Sequence, residues 1–177
     1  MEKRSHLGMA GHYAAMSEFL YRGYNVAVPA VDIGDDVYVV EDQVGTMWRL
    51  QVKTSDAPEV RVGTYQLSRR QLREIKANEL FFMFMIRSVN RWRFILIRRD
   101  KLAELRDAFE QADRSGKRGR PPTADENAKS DALALRIEWS DADAVGWGAS
   151  FASYLELWPD TFPPNTDGPG AVKESGS

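Results

Sequence analysis

The chain has 177 residues, 43% of them apolar and 11% aromatic, with a formal net charge of −2, which suits one compact domain with tails. It holds no cysteine, which excludes a disulfide framework and any cysteine-based zinc site. No apolar run approaches the ~18 residues of a membrane span, and the start, Met1-Glu2-Lys3-Arg4-Ser5-His6, has no long apolar stretch behind it to make a signal peptide, so a cytoplasmic protein is expected.

The small net charge hides an asymmetry. Residues 1–56 carry 5 basic and 8 acidic groups, residues 57–120 carry 16 and 8, and residues 121–177 carry 3 and 10. A basic middle between acidic ends would attract a polyanion. Solvated charge on helix faces would give the same count.

In chain order, the spacing of Met9, Tyr13, Met16 and Leu20 predicts a helix over 7–22, with one apolar stripe and Gly23 as its stop. A short strand is expected at 24–30. Two more follow at 36–41 and 46–54, joined by a hairpin turn at 42–45 where Gly45 relaxes the backbone. Residues 55–64 read as a loop and 65–78 as a helix with a narrow apolar face. The nearly all-apolar 79–88 reads as a central strand buried on both faces, and 91–99 as its neighbour. A helix capped by Asp100 is expected over 100–112, with Leu102, Leu105 and Phe109 as its stripe. Residues 113–131 form a basic, Pro-containing linker or loop, 132–139 a strand, 141–145 a short turn and 150–158 a last helix. The Pro-, Gly- and Ser-rich tail from 159 is expected to be disordered. The five tryptophans are spread along the chain and read as packing residues.

The stretch VDIGDDVYVVEDQVGTMWRLQVKTS (31–55) carries the chemistry. A turn at 42–45 sets residue 41 opposite 46 and residue 36 opposite 51, which brings Asp36 beside Gln51. Gln51 and Lys53 share a strand face. The Asp36 carboxylate, the Gln51 amide oxygen and the Val52 carbonyl would offer oxygen ligands to a hard cation such as Mg²⁺. Lys53 beside them would hold a water or offset charge on a phosphoryl group. Asp32 and Asp35 read as turn residues, with Asp35 the substitute ligand if the register slips by one.

The ordered set SEFLYRGYNVAVP (17–29), GDD (34–36) and RLQVKTS (49–55) resembles the core of the PD-(D/E)XK nuclease superfamily, in particular small bacterial members with an aspartate followed by a QxK strand. The resemblance spans about residues 8–100 and implies a restriction-endonuclease-like α/β fold. Its core would run αβββαβ over 1–112, with a central mixed sheet flanked by helices and a C-terminal strand and helix (132–158) packed on it. It implies a metal-dependent nuclease acting on phosphodiester bonds, in DNA by preference, with Mg²⁺ or Mn²⁺ as cofactor and a homodimer among its partners. Asp36 matches the metal-binding aspartate, Gln51 the variable acidic position and Lys53 the lysine. On the first helix, Glu18 is one candidate to complete the site. His12, which follows Gly11 where some relatives carry a glutamate, is the other. The neutral Gln51 leaves one negative charge fewer, which lowers metal affinity. A catalytically weak or inactive module that binds nucleic acid or assembles with a partner is the alternative.

Two further features bear on nucleic acid. Arg69, Arg70 and Arg73 lie on one expected helix, spaced to meet phosphates. Arg118-Gly119-Arg120-Pro121 resembles the core of an AT-hook, whose arginines enter a narrow A·T minor groove. No glycine-rich phosphate loop and no Ser/His/Asp set is present.

Overall fold

The computed structural model describes residues 2–31, 34–42, 45–56, 61–88, 91–116 and 131–158. The elements in chain order are α1 (Glu2–Tyr21), β1 (Asn25–Ala27), β2 (Val37–Glu41), β3 (Thr46–Asp56), β4 (Val62–Ser68), α2 (Arg69–Arg73), β5 (Leu80–Arg87), β6 (Trp92–Arg98), α3 (Arg99–Gly116), β7 (Ala132–Trp139), β8 (Ala144–Gly146) and β9 (Ala149–Ser150). A short 3₁₀ turn follows at Ala152–Tyr154. No helix among the described residues is long and apolar enough to cross a membrane.

The architecture is the expected mixed α/β one. A five-stranded sheet runs β1-β2-β3-β5-β6, with β3 and β5 parallel and the other pairs antiparallel. The parallel pair requires a crossover, which β4 and α2 supply. β5 is buried along Leu80–Ile86 because both its faces are covered. On one face, Phe81, Met83, Leu50 and Val52 pack under Ala15 and Phe19 of α1. On the other, Phe82, Phe84, Ile95 and Ile97 meet a second sheet through Tyr65, Leu67, Leu135 and Ile137, with Leu102 of α3 beside them. Each such side chain contributes about 1.5–3 kcal/mol of burial.

That second sheet, β4-β7-β8-β9, corrects two sequence expectations. Residues 65–78 do not form one helix. Gly63, Tyr65 and Leu67 are buried and alternate with less buried neighbours, so the period is two and the segment is a strand. Ile75, inside the expected helix, is 82% exposed. Only five residues are helical, started by Ser68, whose hydroxyl accepts from the Gln71 N–H. At the C-terminus, 150–158 is not a helix either. β9 and the 3₁₀ turn lead to Leu155, which bridges to Ile95. The expected turn at 141–145 gives way to β8 at Ala144, and α3 runs on to Gly116.

The first helix exists, but its buried face is not the expected stripe. Met9, Tyr13 and Leu20 are exposed, whereas Gly11, Ala15 and Phe19 are buried. The reason is distance: a Cβ on Gly11 would lie 2.0 Å from Thr54 Oγ1 of β3. The helix rides too close to the sheet for large side chains at its point of contact. Trp48 and Trp139 are core residues, and Trp92, Trp147 and Trp158 pack on the two clusters.

Several of the basic groups in the middle of the chain are held in ion pairs, mostly with acids of the same segment. Arg69 and Arg106 share Glu110, Arg99 meets Glu79, and Arg93 meets Glu156. Arg98 pairs with Asp100.

Candidate functional site

The β2–β3 hairpin has the register read from the sequence. Glu41 pairs with Thr46 and Val37 with Leu50, and the Asp36 N–H donates to the Leu50 carbonyl at 2.9 Å. Asp36 therefore stands opposite Gln51, at the point where β2 begins and β3 runs on alone past it. There its Oδ2 accepts two hydrogen bonds, from Gln51 Nε2 at 2.7 Å and from the Val52 N–H at 2.7 Å. The second bond caps the edge of β3 where β2 no longer covers it. A strand residue turns its N–H and C=O to the same edge, so the Val52 carbonyl shares that side.

Of the two first-helix candidates, His12 is the one that lies beside Asp36. Its Nε2 lies 3.6 Å from Asp36 Oδ2, both side chains being about a quarter exposed or less. The close approach at Gly11 sets this reach, since Gly11 seats α1 against Thr54 one residue earlier. Glu18 points elsewhere. It pairs with Arg22 one turn on at 2.6 Å, and Arg22 lies over the Trp158 ring at 4.3 Å. Glu18 thus helps fasten the end of α1 rather than join Asp36.

Asp35 is not a substitute ligand. Its carboxylate is buried and accepts two bonds from Arg49, at 2.8 Å from Nε and 2.6 Å from Nη2. The hydrogen bonding to Asp35 holds the Arg49 guanidinium above its ordinary pKa. This fork anchors the approach to β2, so that the next residue, Asp36, meets β3. Asp32 lies outside the described residues.

Gln51 is buried, and its amide is held at both ends. Its Nε2 faces Asp36, while its Oε1 accepts from Gln71 Nε2 of α2 at 2.6 Å. Gln71 Nε2 also approaches the Gly34 carbonyl at 3.3 Å. Gln71 is a site residue that the sequence reading missed: it lies on the expected helix, but its contact with Gln51, 20 residues away, depends on how α2 is carried to the sheet. Lys53 is half-buried on the same strand face as Gln51.

The basic candidates divide. Arg69 is tied into the Glu110 pair and points at α3. Arg70 and Arg73 are exposed. Arg118 and Arg120 lie outside the described residues.

A divalent cation would find an Asp36 carboxylate, a His12 imidazole and the Gln51 amide here. Among the described residues no three of His, Cys, Asp and Glu gather as a metal cluster. The donor set fits a cation with one carboxylate and few charges, provided the Gln51 amide turns. The Gln51 nitrogen faces Asp36 because its oxygen accepts from Gln71 Nε2. An imidazole among the donors moves the preference from Mg²⁺ toward Mn²⁺.

Comparison with known proteins adds a distant neighbour. No protein-family model and no curated protein matches the chain. Among solved structures it is similar to a bacterial homing endonuclease, I-Ssp6803I, at 21% identity and a TM-score of 0.39, over 56% of this chain and 72% of that one. A likeness this distant leaves the functional reading to the residues.

Proposed function

We propose that this chain is a metal-dependent nuclease that hydrolyses phosphodiester bonds in DNA. The observation that carries the reading is the meeting of Asp36, Gln51 and His12 at the start of β2, with Asp36 Oδ2 2.7 Å from the Gln51 amide and 3.6 Å from His12 Nε2. Asp36, His12 and Gln51 would hold the cation. When bound, it would act as a Lewis acid on the phosphoryl oxygen and make water a better nucleophile. Lys53, on the face shared with Gln51, supplies a positive charge for the oxygen that gains charge as the bond breaks. The Val52 N–H and the Asp35–Arg49 fork keep the Asp36 carboxylate in place before substrate arrives.

A second reading follows from the same geometry. Asp36 already has a structural task in capping β3, and the Gln51 oxygen is already satisfied by Gln71. These are the features of a nuclease-fold module that binds nucleic acid without cutting it.

The deciding experiment is cleavage of supercoiled plasmid, single-stranded DNA and RNA in Mg²⁺, Mn²⁺ or EDTA. Asp36→Asn, which retains an acceptor for the Val52 N–H, and Lys53→Ala run in parallel. Metal-dependent cutting lost in both variants supports the nuclease. Cutting that survives both, or that EDTA leaves intact, overturns it. Salt-sensitive binding with no cutting selects the module.

A further inference from the structure

Gln71 also borders an open cleft of about 260 Å³. Its lining includes Arg49, Arg70, Gln71, Glu74, Lys76 and Leu80, so it gathers three cations around one exposed carboxylate. Arg49 is neutralised by Asp35 and supplies shape more than charge. Arg70 and Lys76 therefore stand against Glu74, and the cleft carries a positive excess of one. Glu74 lies 3.6 Å from Lys76. The cleft adjoins the candidate site through two shared neighbours: Gln71 lines it and hydrogen-bonds Gln51, while the Gly34 that borders it is two residues before Asp36.

We propose that this cleft is a phosphate subsite, which takes a backbone phosphate of the DNA strand next to the phosphate held at Asp36. The proposal rests on the nuclease reading for its substrate and adds the residues that grip it. Arg70 and Lys76 contact the phosphate oxygens, and the Gln71 amide separates this phosphate from the reacting one. Glu74 is the opposing charge: it holds Lys76 in the empty cleft and must release it when the phosphate enters. Contacts of this kind position a strand without reading its sequence.

The test is binding of a short fluorescein-labelled DNA duplex, followed by anisotropy over a range of salt concentrations in EDTA, so that nothing is cut. Removing one phosphate contact flattens the dependence of log K on log salt by about 0.9. The Arg70→Ala/Lys76→Ala variant is expected to show that loss of slope and to bind at least about fivefold more weakly at low salt. Glu74→Gln is expected to tighten binding by about threefold. All substituted side chains are exposed, and thermal melting of each variant checks its fold. A double variant with the wild-type slope, an unchanged Glu74→Gln, or a wild-type chain that binds no duplex overturns the subsite. Cleavage in Mn²⁺ is scored separately. Binding with the expected slope change but no cutting would sink the nuclease reading and leave the subsite standing, whereas cutting with an unchanged slope would do the reverse.

Discussion

Gln71 donates its amide N–H to the Gln51 amide oxygen at 2.6 Å and so determines that the Gln51 nitrogen faces Asp36. The two amides act as a pair. If Gln51 turns, Gln71 must turn with it to keep their hydrogen bond, and Gln71 then gives up the Gly34 carbonyl.

Replacing Gln71 with glutamate tests this pairing. A carboxylate only accepts, so Gln51 would have to present its nitrogen to residue 71 and its oxygen to Asp36. Mn²⁺ is then expected to bind about tenfold more tightly, equivalent to about 1.4 kcal/mol. Titration calorimetry with Mn²⁺ measures it, and equal affinity in the two proteins would refute the pairing.

Gly11 fixes how near α1 comes to β3. In Gly11→Ala the new methyl would sit 2.0 Å from Thr54 Oγ1 and 2.9 Å from its Cγ2. The helix or the strand must yield, at a cost of about 1–3 kcal/mol. The double variant Gly11→Ala/Thr54→Ala removes both atoms and should recover part of the loss. Urea unfolding of the three proteins gives the answer. If the second substitution recovers nothing, the strain lies elsewhere.

The Asp35–Arg49 pair is buried, with side-chain exposures of 1% and 9%. Arg49→Met leaves the carboxylate buried and without its fork, and is expected to destabilise by about 3–5 kcal/mol. Arg49→Met/Asp35→Asn leaves no buried charge and should lose less. A double variant no better than the single one would show that the pair contributes mainly through packing of the arginine stem.

Asp131 ties β7 to the start of α2. Its carboxylate accepts from the Ser68 hydroxyl at 2.5 Å and from the Arg70 N–H at 2.9 Å. These bonds, the hydroxyl first, hold its pKa below the ordinary carboxylate value. A depressed folded pKa means that the stabilisation is complete above the unfolded value, about 3.9. It is lost as pH falls through the folded value. Melting temperature measured below pH 5 should therefore fall more steeply in the wild type than in Asp131→Asn. Parallel curves would contradict the linkage.

The strands of the hairpin, the partner of Asp36 and the buried β5 were legible in the sequence. Period-two patterning, a glycine turn and an unbroken apolar run are local signals, and the register follows from counting outward from the turn. The β4 alternation is equally local, yet it falls inside the span 65–78 that reads as one helix. Leu72 inside α2 is buried in the core, whereas Ile75, past the end of the helix, is exposed.

What the sequence determined by itself was the set of elements with strong short-range periodicity and the opposition of Asp36 to Gln51. What only the tertiary structure decided was which long-range neighbours arrive at that pair. His12 rather than Glu18 reaches Asp36 because helix α1 is rotated by the need for a small residue against Thr54. Gln71 reaches Gln51 because β4 pairs with β7, 63 residues apart at the Ser68–Asp131 bond, and so delivers α2 to the sheet. Both outcomes depend on packing between segments distant in the chain, which no local pattern encodes.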